Sequence, residues 1–340
     1  MDPPHESILH LADSDLITLP DLSWSTHKKL ILENNDIRVI FPEYLPQGIQ
    51  MLEAGCNLIH SDGLPFDWPE SLERIALGYN SIQDVDGIRW PGGLKQLYLE
   101  SNPLKIWPSP LPEGLQVLSL NKTDIHDAEP FPLGLKELFI KKARLRQLPP
   151  CLPDSLEVLN ASYNFLRSSR LPSYWGCNLK QLNLSKNSLT SFPSGIPDSV
   201  QVLYLDGNKI TEVPAGLPEN LRMLFVRKNK LRTITIEPRK NPLKLVRLDD
   251  NELTVSVRDY QKNKKIQWSN TIKESYNWNE EIHHTAQKTI KTKWRIYRLQ
   301  KRLRTLKKTA ILREELQQVS MHPCRAGHFE NISSDWGWGC

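Results

Sequence analysis

Cysteine is scarce in this sequence and long apolar runs are missing. The five cysteines, Cys56, Cys151, Cys177, Cys324 and Cys340, are odd in number and widely scattered. That excludes a disulfide framework as the organising device and fits a reducing compartment. No uninterrupted apolar stretch approaches the ~18–20 residues that cross a bilayer as a helix, so no transmembrane segment is expected. The opening Met-Asp-Pro-Pro-His-Glu-Ser has no basic stretch leading into an apolar run, and without that secretory pattern an intracellular, cytoplasmic location is expected. Four Asn-x-Ser/Thr triplets, at Asn121, Asn160, Asn183 and Asn331, are read as by-products of a segment rich in Asn and Ser. No catalytic constellation is present, and His322, Cys324, His328 and Cys340 do not have a standard zinc spacing. The expected protein is therefore not an enzyme and carries neither metal nor cofactor.

What is present is a recurring phrase. Residues 197–210 read P-D-S-V-Q-V-L-Y-L-D-G-N-K-I and residues 218–231 read P-E-N-L-R-M-L-F-V-R-K-N-K-L. The shared frame P-x-x-L-x-x-L-x-L-x-x-N-x-L is that of a leucine-rich repeat. Aligned on the Asn position, about twelve units follow one another, marked by Ser14, Asn35, Asn57, Asn80, Asn102, Thr123, Ala143, Asn164, Asn187, Asn208, Asn229 and Asn251. The alternation in L-x-L places leucines on one face of a short strand. A single unit cannot bury that face, so neighbours must stack into a parallel sheet. The Asn carboxamide, two donors and an acceptor, can satisfy backbone groups where the chain turns after the strand. Ala143 cannot, and a local irregularity is expected there.

Proline, at 25 residues against 16 glycines, keeps the same beat. Eight units carry it eleven residues before the Asn position: Pro46, Pro69, Pro91, Pro112, Pro132, Pro153, Pro197 and Pro218. Glu or Asp and then Gly, Ser or Asn usually follow, which predicts a β-turn with proline at its second position. Further prolines, such as Pro108, Pro149 and Pro193, follow the Asn and stay out of the sheet for want of an N–H. About 21 residues per turn leave little room for a helix, so the convex side should be extended or polyproline-like.

These repeats resemble the short leucine-rich repeats of secreted bacterial effector proteins, with Leu111-Pro112, Leu152-Pro153, Ile196-Pro197 and Leu217-Pro218 matching the L-P that opens each unit. Repeat proteins of large double-stranded DNA viruses, which carry idiosyncratic basic tails, are similar too. The resemblance covers about 240 residues and implies a solenoid with a curved parallel sheet. For function it implies a surface that serves many kinds of partner, in a pathogen or viral protein acting on host proteins.

On the concave face of such a sheet stand the residues between the leucines and those two positions on. They include four aromatics, Tyr98, Phe139, Tyr204 and Phe225, with Glu100, Lys141, Asp206, Arg227 and Arg247 beside them. Aromatics next to arginine are enriched at interface hot spots, so these nine residues are the candidate protein-binding face. Stacking along the sheet as cross-strand pairs is the alternative for the aromatics. Lys122, Lys141 and Lys142 make a small basic patch near the middle.

After about residue 254 the phrase fades. Residues 255–282 are read as a cap or linker, 283–318 as a basic amphipathic helix, and 319–340 as a tail. Between Thr285 and Arg313 there are eleven Lys/Arg and no Asp/Glu. The chain as a whole carries +5, so the remainder is net acidic, and the basic balance belongs to one segment. Ile296, Leu299, Leu303, Leu306 and Ala310 recur at helical spacing. Ile290, Trp294, Arg295, Tyr297 and Arg298 resemble an IQ motif, although Lys291 stands where that motif has Gln. The resemblance implies a calmodulin-like partner; nucleic acid or an anionic membrane suits the same basic stripe. The plan is an array over 1–254 that binds a protein partner without catalysis. The alternative is a ubiquitin-ligase-like effector enzyme, for which only about 85 residues remain after the array.

Overall fold

A computed structural model describes residues 8–129, 131–232, 234, 243–253 and 267–268. Short strands recur once per repeat: β1 Ile8–His10, β2 Lys29–Ile31, β3 Met51–Glu53, β4 Arg74–Ala76, β5 Gln96–Tyr98, β6 Val117–Ser119, β7 Glu137–Phe139, β8 Val158–Asn160, β9 Gln181–Asn183, β10 Val202–Tyr204, β11 Met223–Phe225 and β12 Leu245–Arg247, with β13 Gln267–Trp268 beyond them. Each pairs in parallel with its sequence neighbours, so the described residues form a thirteen-stranded sheet in chain order. The register is uniform: Leu97 faces Leu118, and Leu118 faces Leu138. This is the leucine-rich repeat solenoid that the phrase requires.

The core runs the length of the array beneath the sheet. In the fifth repeat, Leu94, Leu97, Leu99 and Leu104 are all fully buried, as are the equivalent positions of the tenth repeat, Val200, Leu203, Leu205 and Ile210, while Leu9, Leu11 and Leu16 in the first repeat are partly buried. Each such leucine contributes about 1.5–3 kcal/mol by leaving water. On the outer side the core is closed by rings, with Trp68 stacked on Trp90 at 6.1 Å and Trp107 on Phe131 at 5.4 Å.

The Asn that follows the strand in most repeats ties neighbouring repeats together. Asn102 donates to Leu77 O of the preceding repeat (2.9 Å) and to Leu99 O of its own (3.1 Å). Its Oδ1 accepts from Ile82 N–H at 3.0 Å. Asn57, Asn80, Asn187, Asn208 and Asn229 repeat this pattern. Thr123 keeps one of these bonds, to Leu120 O at 2.9 Å. The irregularity expected at Ala143 is present: the residue after it, Arg144, also takes a left-handed backbone, with φ of 62°. The next Asn compensates, since Asn164 Oδ1 accepts from both Ala143 N–H and Leu145 N–H at 3.0 Å.

One expectation about the prolines is corrected. In all eight units the proline carbonyl accepts from the N–H three residues on, as in Ile49 to Pro46 (3.2 Å) and Leu221 to Pro218 (3.0 Å). Proline thus occupies the first position of the turn, where its missing N–H costs nothing. The acid that follows serves the stack instead. Glu70, Glu113, Asp154 and Asp198 accept backbone N–H groups of the following repeat, from Gly92, Leu133, Cys177 and Glu219. Where serine comes next, as at Ser71, Ser155 and Ser199, its hydroxyl donates to a carbonyl of the preceding repeat at 2.7–2.8 Å. The outer path is otherwise extended, broken by 3-10 turns at Pro42–Tyr44, Ser61–Gly63 and Ser168–Arg170. Among the described residues there is no α-helix, and none long and apolar enough to cross a membrane.

Candidate functional site: the concave face and its rim

The residue before each Asn position adopts a left-handed backbone in every repeat. Eleven of these are not glycine, among them Cys56, Tyr79, Lys122, Tyr163, Lys186 and Lys228, with φ of 53–59°. Outside glycine this conformation is costly. Here it is held by an N–H donated to the next repeat, for example Tyr79 to Glu100 O and Lys186 to Asp206 O at 2.8 and 2.7 Å. At this turn, on the rim where strands exit, Tyr163, Lys186 and Lys228 are exposed, whereas Asn34 and Cys56 are buried. Nothing in the residue types marked it, since Asp, Asn, Ser, Cys, Tyr, Lys and Gly all occupy the position.

On the concave face the structure divides the four aromatics. Tyr98 and Phe139 are only 6% and 4% exposed. Small neighbours flank them in register, Ala76 and Ser119 for Tyr98, Ser119 and Asn160 for Phe139, which leaves room for each ring to lie on the sheet. The Arg74 guanidinium covers Tyr98 at 4.4 Å, donates to Gln96 Oε1 at 2.6 Å and approaches Glu53 at 3.5 Å, while Lys29 reaches Glu53 at 3.1 Å. This end of the face is thus a closed polar ladder over repeats two to five.

Tyr204 and Phe225 are different. Both are half-buried, stacked with centroids 4.6 Å and planes 11° apart, and Phe225 faces Arg247 across the next strand pair. Beside them Arg227 donates through Nε and Nη2 to Asp206 Oδ2 at 3.0 and 2.8 Å, while Arg227 N–H donates to Oδ1 at 2.7 Å. Arg247 Nη1 lies 3.9 Å from Asp249. Five of the nine predicted residues are therefore brought together in repeats ten to twelve.

Glu100 and Lys141 stand apart from that cluster. Glu100 Oε2 is buried and has no hydrogen-bond partner among the described residues. Burial pushes its carboxyl above the usual range, against hydrogen bonds from its own backbone and Ser119 and the charges of Arg74 and Lys122. Next to it the buried Cys56 thiol is pushed up to about 12, by burial first and then by Glu33, Glu100 and Asp13. The Lys122, Lys141 and Lys142 patch closes over two rim tyrosines. Lys122 Nζ lies 3.2 Å from Tyr79 Oη, and Lys141 and Lys142 sit 5.6 and 5.2 Å over the Tyr163 ring. Asn160 is fully buried, so its triplet offers no side chain to modify. No group of three or more His, Cys, Asp or Glu able to hold a metal occurs among the described residues. Ile290, Trp294, Arg295, Tyr297 and Arg298, the basic helix over 283–318 and the tail over 319–340 lie outside the described residues.

The comparisons with known proteins agree with this geometry. Residues 178–198 match the Leucine Rich Repeat family. Keratocan of Danio rerio is 30% identical over 194 residues, covering 56% of this chain and 44% of keratocan. The chain spans less than half the length of the curated relatives it matches. Among solved structures, the leucine-rich effector protein YopM of Yersinia pestis superimposes with a TM-score of 0.51 at 24% identity, over 73% of this chain and 84% of that one. The structure of a TLR13–ssRNA13 complex gives a TM-score of 0.56 at 20% identity, over 76% of this chain and 45% of that one. These likenesses establish the fold.

Proposed function

We propose that the chain is a non-enzymatic scaffold that holds a protein partner on its concave face. The observation that carries this reading is the Tyr204–Phe225 stack beside the Asp206–Arg227 pair. Of the four aromatics on this face these two remain half-buried, whereas Tyr98 and Phe139 are buried. A rigid aromatic pair loses little side-chain freedom on binding, and an arginine already held by a carboxylate is oriented for a further contact. Phe225 and Arg247 extend the patch, and Tyr98, Glu100, Phe139 and Lys141 line the rest of the same face as a pre-formed surround. An intracellular setting, with a pathogen or viral protein acting on host proteins, is part of the proposal. Cys151 and Cys177 are both exposed and free, which suits a reducing compartment.

Affinity capture with the full chain tests the reading, comparing it with the chain carrying Tyr204→Ala, Phe225→Ala and Arg227→Ala together. A partner held by the first and lost by the second is expected. Retention of every partner by the triple variant would remove this face from the proposal.

A further inference from the structure

A second surface lies on the rim beyond the strands, outside the concave face. Two hollows of about 480 and 620 Å3 adjoin there and share Arg167 and Ser188. The first is lined by Arg146, Phe165, Arg167, Arg170 and Ser188, and Lys209 lines the second. Neither is lined by a carboxylate among the described residues. The four cationic side chains are exposed.

Backbone hydrogen bonds set the spacing of this surface. Phe165 N–H donates to Leu145 O, Ser188 N–H to Leu166 O and Lys209 N–H to Leu189 O, at 2.8–2.9 Å. Phe165, Ser188 and Lys209 therefore form one row, a strand spacing of about 5 Å apart. Arg146 and Arg167 hold equivalent places in consecutive repeats, three residues after Ala143 and Asn164. Arg170 is held close by the 3-10 turn Ser168–Arg170. Ser168 Oγ accepts from Thr190 and Ser191 N–H, both at 3.0 Å, and so pins the floor between repeats.

Several exposed cations of the solenoid reach an acid on a neighbouring repeat: Lys95 with Glu73 at 2.8 Å, Lys180 with Glu157 at 2.6 Å, Arg144 with Asp124 at 3.0 Å. Among the described residues Arg146, Arg167, Arg170 and Lys209 make no such pair. Like charges placed together raise the local potential and attract anions. Guanidinium groups match phosphate oxygens in a fork. Phe165 adds what a bare phosphate site does not need, an aromatic ring 58% exposed among the arginines. A flat ring beside cations is the stacking platform on which an unpaired base rests.

We infer that this rim binds a single-stranded nucleic acid, with Phe165 under a base and Arg146, Arg167 and Arg170 on the backbone phosphates. The test uses the full chain and a fluorescein-labelled oligouridylate of about twelve nucleotides, within the site size such platforms cover. Binding is followed by anisotropy as salt rises from about 50 to about 200 mM. Two variants are compared, Arg146→Ser/Arg167→Ser/Arg170→Ser and Phe165→Ala. The triple variant is expected to bind on the order of 10- to 100-fold more weakly at low salt. Its dependence of log affinity on log salt should be shallower by about 2, for three lost phosphate contacts. Phe165→Ala is expected to bind on the order of tenfold more weakly with its salt dependence unchanged. Both variants alter exposed side chains, so their thermal melts should match that of the unaltered chain and confirm that folding is intact. No binding by the unaltered chain overturns the inference. So does equal binding by all three proteins, which would put the affinity elsewhere in the chain. Loss in the arginine variant with full retention in Phe165→Ala also overturns it, because the rim would then hold phosphates without stacking a base, and any phosphate-bearing partner such as a phosphopeptide would serve as well.

Discussion

The rings of Tyr204 and Phe225 stack at 4.6 Å although they belong to different turns of the solenoid. Parallel pairing of β10 with β11 puts the two residues directly opposite each other, so the repeat period becomes an aromatic contact on the surface. Stacked pairs of this geometry are worth about 0.5–1.5 kcal/mol beyond their buried area. A double-mutant cycle on stability with Tyr204→Ala and Phe225→Ala is expected to return a coupling in that range. A coupling near zero would mean that the pair adds nothing to the free protein.

The Asn ladder makes a graded series. Asn102→Ala removes two donated bonds and one accepted bond between buried groups, and a cost on the order of 3–5 kcal/mol is expected from the stranded backbone partners. Thr123→Ala removes one bond, with an expected cost of about 1 kcal/mol. Urea unfolding of both variants checks the order. Equal costs would show that the neighbouring repeats re-bond freely around a missing carboxamide.

This ladder and the strand positions were readable from the sequence because both follow a fixed period. The turn geometry was not. Proline suits the first and second positions of a β-turn alike, and only the bond from Leu221 N–H to Pro218 O distinguishes them. The left-handed rim was also hidden. Its backbone is imposed by hydrogen bonds to the next repeat, and the residue types there follow no single preference. On the concave face, pattern alone gave four equal aromatics. Burial of Tyr98 and Phe139 depends on the size of the cross-strand neighbours, which becomes visible only once the register is known. The rim arginines were missed because Arg146 and Arg167 follow the Asn position, away from the face the alternation singles out.

Thiol chemistry should separate the cysteines by site. Cys56 is buried, with its thiol pushed up to about 12, and should resist iodoacetamide at pH 8 while the protein is folded. Cys177 is exposed, but hydrogen bonding to Asp154 raises its thiol above the usual range, so it should react more slowly than exposed Cys151. Peptide mass spectrometry along a time course gives the order. Early labelling at Cys56 would contradict the burial of this thiol.

Burial raises the Glu100 carboxyl in the folded state. A group raised in this way favours folding in its protonated form, and that contribution is lost as pH climbs through its folded value. Glu100→Gln is therefore expected to raise the melting temperature at neutral pH, with the advantage shrinking as pH falls into the ordinary carboxylate range. A variant less stable than the parent at pH 7 would show that Arg74 and Lys122 outweigh the desolvation.

The most direct test of the concave-face proposal is site-specific photo-crosslinking in cells. Benzoylphenylalanine is placed at Phe225 in one protein and at Tyr174, an exposed ring away from the strands, in another. A discrete protein adduct is expected from position 225 and not from position 174. Adducts from position 174 alone would contradict a partner held on the concave face.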